Sequence, residues 1–496
     1  EFGTNDFKGW IIEPQIEYHS SPGKGKLSLL LGGTFQSQNN NASDINASGF
    51  TSDALIYSIS AATTVTASNY NPQYRYAAIF GRMNYDLSDK YIINLSGRRD
   101  GSSRFGPGRQ FGNFGAAGGA WLFSNEKPVK DKFKFLSYGK LRASYGITGN
   151  DQIGDYLFLD TWTSTDNQGV YQGISGLRPT RLYNPDFNWE VTKKIEGALE
   201  LGLNKDKLLF TAVVYRHRTG NQLIAYKLPA QTGFSSLATK NFPAVVQNTG
   251  WEISLLSKNI VSDKFSWTTT FTITLPRNKL LAFPGLESSS YSGTLTIGKS
   301  LTSKRTLHYL GVDPATGLFR AEDYRPSGNY DPDYYGGLRN SFTYKGLELD
   351  LFFDYRRQKA QNPLILIYNN NPPGVYIGNS NQPVSVLARW QKPGDKADLQ
   401  QYSSNPGSAA YNAISNFTSS DAIFVDGSFI RLRTASLSYS FQKNTLKKFH
   451  AERLRIFLQG QNLLTISPYK GADPETQNPL ALAPLRAFAA GIQITP

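Results

Sequence analysis

The segment from Tyr76 to Phe123 constrains the fold more than any other, because apolar residues recur at every second position through three consecutive runs. In the first run Ile79, Met83 and Tyr85 share one face and Arg82 and Asn84 the other. In the second, Tyr91, Ile93 and Leu95 alternate with Asn94, Ser96 and Arg98. A polar turn, Asp86 to Lys90, joins the two runs, and Tyr85 and Tyr91 bracket it where the aromatic girdle of a membrane barrel sits. The far end opens into a longer Gly/Ser loop, Asp100 to Arg109. Short turns at one end and long loops at the other predict an antiparallel transmembrane β-barrel.

The same period continues along the chain. Trp10–His19 and Leu27–Phe35 read as a hairpin about a Pro22–Lys26 turn. Leu141, Ala143, Tyr145 and Ile147 alternate with Arg142, Ser144 and Thr148. Leu199, Leu201 and Leu203 lead into a tight turn, Asn204–Lys207, with Lys where such turns favour Gly. Trp267, Thr269, Phe271, Ile273 and Leu275 face away from Ser266, Thr268, Thr270, Thr272 and Thr274. From Gly346 to Tyr355, Leu347, Leu349, Leu351 and Phe353 alternate with Glu348, Asp350 and Asp354. Between Leu432 and Leu437 the apolar phase changes, which predicts a β-bulge. Gln36–Asn71, with a short helix near Ala54–Ile59, and Asn150–Arg181, Thr219–Gln247, Asn278–Asp333 and Gln358–Asp426 read as external loops.

Composition removes other classes. No apolar run reaches the ~18 residues of a membrane helix, whereas a barrel needs apolar residues only at alternate positions. Without cysteine, no disulfide framework or thiolate metal site forms. A net charge of +14 invites nucleic acid, but Lys and Arg are scattered rather than striped, so no nucleic-acid partner is expected. EFGTNDFKGW carries no signal-peptide pattern.

GRMNYDLSDKYIINLSGRRDGSSRFG with FGNFGAAGGAW, then KLRASYGITGN, NPDFNWEVTKKIEGALELGL, YLGVDPATGLF, SFIRLRTASLSYSF, LRIFLQGQNLLTIS and YKGADPET closely resemble the barrel of SusC/RagA-type TonB-dependent transporters. The resemblance implies an outer-membrane importer of a glycan or oligopeptide in a Gram-negative bacterium. It further implies energy from the TonB complex and a SusD-like surface lipoprotein as partner. Family barrels have ~22 strands, and about fourteen are counted here. Residues 1–496 are therefore expected to be the C-terminal part of the barrel. The plug, the TonB-interacting segment and the first strands would come from another segment or chain, since open sheet edges are not tolerated in lipid. The family's final outward position carries an aromatic residue, where this chain has Pro496.

Arg98, Arg142, Glu348, Asp350 and Asp354 are the candidate lumen residues, the acids being expected to pair with Arg98, Arg142 or Arg356. Tyr171, Tyr334, Tyr335 and Tyr376 are candidate loop aromatics for substrate. GTLTIGKS at Gly293–Ser300 matches a phosphate-binding expression but lacks a following helix start, and is read as a chance match. Asp323, Asn329, Asp331 and Asp333 lack EF-hand spacing, and His19, His217, His308 and His450 form no metal-binding pair, so no metal or cofactor is assigned. DGSSRFGPG carries no chemistry and is a plausible contact for a plug or lid. No acid/base pair or nucleophile motif marks an enzyme. The alternative reading is a soluble or surface-anchored carbohydrate-binding β-sandwich.

Overall fold

A computed structural model of the chain describes residues 2–164, 172, 174–227, 231, 234, 237–368, 382, 384–441, 452–477 and 481–495. It is built chiefly of long antiparallel strands, and among the described residues no helix is long and apolar enough to cross a membrane. The chain forms two compact units. The first comprises Glu1–Asn125, Arg142–Glu196 and His217–Val245; the second comprises Glu126–Leu141, Gly197–Arg216 and Val246–Pro496.

In the first unit, strands Phe2–Ile12 and Gln15–Ser20 pair with Gly25–Ser48, which pairs in turn with Gln73–Leu87, then Tyr91–Ser102, then Phe111–Trp121. The register sets Leu29, Met83, Leu95 and Ala117 in one cross-strand row. The adjacent row is polar, and there the Asn84 amide donates to Asn94 Oδ1 at 2.6 Å. Tyr91, Ile93 and Leu95 are 47%, 48% and 43% exposed, where a sheet folding in water would bury them. The turn after Leu87 is tight because Ser88 and Asp89 both adopt positive φ.

In the second unit, Phe265–Ala282, Tyr334–Tyr344, Leu347–Arg357, Phe429–Ser440, Arg453–Ile466 and Ala487–Thr495 pair in that order. Trp267, Phe342, Leu349, Leu437, Leu458 and Ala490 form one apolar row, next to the polar row Thr268, Ser341, Asp350, Ser436 and Gln459. The expected phase change is a real bulge: Arg433 is the extra residue between Leu432 and Thr434 against Leu347–Arg357, and on the other side Asn462 and Leu463 together oppose it. At the short-turn ends, exposed aromatics recur, Tyr91 and Trp121 in the first unit and Tyr344 and Tyr439 in the second. In the Asn204–Lys207 turn, Asn204, Lys205 and Asp206 all take positive φ.

The loops hold more structure than expected. Gly25–Ser48 runs far past Phe35 and pairs with Thr64–Tyr70, so much of Gln36–Asn71 is a polar hairpin tipped by short 3₁₀ turns at Asp53–Leu55 and Ile59–Ala61. Main-chain pairing sustains it without an apolar face, which is why alternation did not reveal it. Leu177–Arg181 pairs with Thr161–Ser164, and Gln222–Lys227 with Leu237–Phe242. Beyond the second unit's sheet lies a lobe with its own core, in which Phe319, Ile365, Val386, Leu399, Ile414 and Phe417 pack together. Helix Ala409–Thr418 supplies the last two, capped by Ser408 Oγ accepting the Tyr411 N–H. Gln400, fully buried, accepts the Phe319 N–H at 3.3 Å and donates to the Ala410 carbonyl at 2.6 Å.

Candidate functional site

Strand alternation and the bulge together decide which side chains reach the polar face of the second unit's sheet. Asp350 accepts from Arg339 Nε at 2.7 Å and from Ser341. Glu348 faces Arg455 at 4.0 Å. The bulge aims Arg433 at Asp354, at 2.6 Å, and at Glu475, at 2.9 and 3.0 Å. Arg431, only 1% exposed, donates to Asp473 at 2.5 Å, Glu475 at 2.9 Å and Thr465 at 3.0 Å. The buried Gln358 amide donates to the Pro474 carbonyl at 2.9 Å. Two arginines of one strand thus pin the Asp473–Thr476 loop onto the polar wall. Burial pushes the Asp473 carboxyl up, but N–H donation from Thr476 and Glu475 and the Arg431 charge outweigh it and hold it below its ordinary value.

The expected ion pairs are therefore corrected. Glu348, Asp350 and Asp354 do share a face, but their partners are Arg455, Arg339 and Arg433, not Arg98, Arg142 or Arg356. Asp350 and Asp354 reach the neighbouring strands and Glu348 reaches two strands across, and spacing within one strand encodes none of these choices. Arg356 instead lies over the Tyr335 and Phe429 rings, at 5.8 and 5.9 Å. Arg142 pairs with Glu196. Arg98 is held by both carboxylate oxygens of Asp100, at 2.7 and 2.8 Å, and donates to the Tyr76 hydroxyl at 2.7 Å. Arg98 and Asp100 line a cavity of about 530 Å³ with Gln15, Arg82, Phe114 and Thr148 on the polar face of the first unit.

Tyr334 and Tyr335 are not loop residues but open strand Tyr334–Tyr344, opposite Arg357 and Arg356. Tyr334 meets Tyr355 edge-on at 6.3 Å and lines a cavity of about 640 Å³ with Arg357, Asp426 and Pro468. Tyr171, Tyr376, His450 and Pro496 lie outside the described residues. The four oxygen-bearing residues expected to fail as a calcium loop are engaged elsewhere in part: Asp331 takes the Ser300 and Thr302 hydroxyls, and Asp333 faces Arg357 at 3.7 Å. The Gly293–Ser300 motif lies in turns with no helix after it, and Lys299 is tied through its main chain to Leu280.

Two motifs find structural explanations. DGSSRFGPG is anchored from below: Phe105 is buried against Phe187 and Trp189 of NPDFNWE, at 5.9 and 5.0 Å between ring centroids, and Trp189 donates to the Gln110 carbonyl. YLGVDPATGLF is a hairpin turn, with Asp313 Oδ1 accepting the Ala315 N–H at 2.8 Å and Gly317 at φ +67° beneath Trp390. The residues that sequence reasoning missed, Arg431, Arg433, Asp473 and Glu475, carried one visible signal, the phase change that places Arg433.

A family model described as TonB dependent receptor-like, beta-barrel matches residues 4–463. TonB-dependent receptor P3 of Formosa agariphila is 28% identical over 504 residues, covering 94% of this chain and 48% of that protein. TonB-dependent receptor SusC of Bacteroides thetaiotaomicron is 24% identical, covering 93% of this chain and 47% of that protein. The chain thus spans about half the length of these curated relatives. The solved structure of the RagAB peptide transporter superposes with a TM-score of 0.84 at 24% identity, over 99% of this chain and 56% of that one.

Proposed function

The chain belongs to the TonB dependent receptor-like β-barrel family of the Gram-negative outer membrane, and from that premise we propose that it forms the C-terminal part of the wall of a nutrient importer. Its apolar rows face lipid and its charged rows face the lumen. The observation that carries this reading is the pair of continuous cross-strand rows, one apolar and half-buried to exposed, the other polar, held in register across each sheet.

In this reading the remaining strands, a plug and the TonB-interacting segment come from outside these 496 residues, in keeping with the half-length match to the relatives. The cargo is an oligopeptide or glycan, captured together with a SusD-like lipoprotein at the long-loop end. A peptide is favoured over other cargo only by the likeness to the RagAB peptide transporter. Arg98, Arg142, Glu348, Asp350 and Asp354 would set the lumen field, with Tyr335 at its mouth, while Tyr334 shares the opposite, apolar face with Phe342 and Tyr355. Since each acid is paired, the wall presents polarity more than net charge to cargo.

Uptake of labelled oligopeptide and oligosaccharide mixtures by cells with and without the gene, each with and without a functional TonB complex, tests the proposal. The expected result is loss of one cargo class in both deletions. Uptake that needs the gene but not TonB would sink the energised mechanism, and uptake unaffected by the gene would sink the importer.

A further inference from the structure

We propose that the short-turn end of the second unit docks on the anionic phospholipid headgroups of the inner leaflet, through a row of unneutralised lysines beside its apolar face. The net charge of +14 finds no explanation in the polar wall, where cations and acids pair. It has a location instead. Residues 126–135, 204–207, 258–264 and 344–347, at the short-turn ends of this unit's strands, hold nine lysines against four acids. Two long connections of the same unit, residues 283–333 and 358–426, hold nine cations against ten acids. The basic excess is therefore confined to one end.

The four basic segments adjoin one another. The Asn204 N–H donates to the Phe135 carbonyl at 2.7 Å, the Lys258 N–H to the Lys207 carbonyl at 2.8 Å, and the Lys345 N–H to the Lys264 carbonyl at 3.2 Å. Each of the last two bonds sets two lysine Cα atoms about one strand spacing, ~5 Å, apart. Like charges so placed destabilise one another unless an anion lies between them. Among the described residues none of the nine lysines has a carboxylate within ion-pair distance, and all nine are exposed. Asp206, between Lys205 and Lys207, instead accepts from the Ser137 hydroxyl at 2.6 Å.

The edge of the apolar face runs through the same segments. Phe135, Val261 and Tyr344 are 56%, 65% and 50% exposed, and they continue the parity of Leu141, Trp251 and Phe342. Lys345 Nζ lies 5.4 Å from the Tyr344 ring centroid, and Lys132 Nζ lies 5.8 Å from that of Phe133. Ammonium groups thus stand beside exposed rings at the end of the apolar rows, where a bilayer changes from acyl chain to phosphate. A soluble acidic partner needs no such apolar border, whereas a membrane surface does. The choice of leaflet rests on the proposed reading of the short turns as the periplasmic end of the wall.

The full-length protein, purified from outer membranes and stripped of lipid in detergent, is titrated with phosphatidylglycerol, with zwitterionic phosphatidylethanolamine and with soluble peptidoglycan fragments. Native mass spectrometry counts the bound molecules. Phosphatidylglycerol is expected to bind about ten-fold or more tighter than phosphatidylethanolamine. Lys207→Gln/Lys258→Gln/Lys264→Gln/Lys345→Gln is expected to abolish that preference, each ammonium contributing about five-fold. Lys299→Gln/Lys304→Gln/Lys392→Gln/Lys396→Gln removes equal charge from the long connections and is expected to keep it. If the first variant fails to accumulate, its two pairs tested separately each report a partial loss. Equal affinity for the two lipids in the unaltered protein, an equal fall in the control variant, or tighter binding of the peptidoglycan fragments would each overturn the proposal. Orientation is read separately: a Lys345→Cys variant should react with a membrane-impermeant thiol reagent only once the outer membrane is permeabilised. Reaction in intact cells would refute the inner-leaflet placement and leave the barrel reading standing.

Discussion

Tyr355 lies across Gly336: its hydroxyl donates to the Thr272 main-chain carbonyl at 2.8 Å, and a Cβ on Gly336 would sit 2.6 Å from that hydroxyl and collide with the same carbonyl. Gly336 pairs with Ile273 on one side and Tyr355 on the other, so the ring reaches over one strand to stack on Phe271, 6.0 Å between centroids. A glycine is required here because ring and backbone already fill the space a side chain would take. Gly336→Ala is expected to destabilise the sheet by about 1–3 kcal/mol, as overpacking does, and Tyr355→Phe by about 1 kcal/mol for the lost hydrogen bond. Urea unfolding of the reconstituted protein checks both, with the glycine variant the worse.

The arginine clamp on the Asp473–Thr476 loop predicts an asymmetry. Asp473→Ala leaves Arg431 buried without its nearest counter-charge and is expected to cost about 3–5 kcal/mol. Replacing Arg431 and Asp473 together by apolar residues of similar volume should restore much of that loss. Thermal unfolding of the single and double variants gives the comparison, and additive losses would mean that the two do not act as a pair.

The same loop predicts a pH response. A carboxyl whose folded value lies below its ordinary 3.8 contributes stability that is full above 3.8 and is lost as pH falls through the lower folded value. Protease sensitivity of the loop is therefore expected to be flat from neutral pH down to about 4 and to rise only below it. In Asp473→Asn the loop should be sensitive throughout.

The lobe beyond the second unit's sheet should fail alone. Phe319 stacks on Phe417 at 4.6 Å and is 1% exposed, so Phe319→Ala is expected to cost about 3–5 kcal/mol of lobe stability. Tyr309 meets the same cluster, and burial raises its hydroxyl to about 12, so it stays protonated at physiological pH. Limited proteolysis should release fragments ending within residues 304–424 while the strands on either side stay protected.

Strand positions were legible because each row obeys a local period: Ile93 faces where Leu95 faces, and the slip near Leu432 announced the bulge at Arg433. Partners were not legible. Asp354 finds Arg433 from a strand 79 positions away, and nothing local distinguishes that choice from Arg356 two positions along. The lobe escaped for the same reason, since Phe319 and Phe417 belong to separate loops. The polar hairpin formed by residues 36–48 with Thr64–Tyr70 escaped because main-chain pairing needs no apolar alternation. At the candidate site, alternation identified the acids on the wall but could not reveal the loop that closes over them.

A membrane wall requires that the apolar rows face lipid, and the absence of cysteine from the chain makes this directly measurable. Single cysteines at positions 91 to 96, spin-labelled one at a time in reconstituted bilayers, are read for collision with oxygen, which concentrates in lipid, and with a water-soluble nickel chelate. Strict alternation is expected, with Tyr91, Ile93 and Leu95 positions favouring oxygen and Ile92, Asn94 and Ser96 positions favouring nickel. Equal nickel access at all six positions would mean that water covers both faces, and the membrane wall would be contradicted.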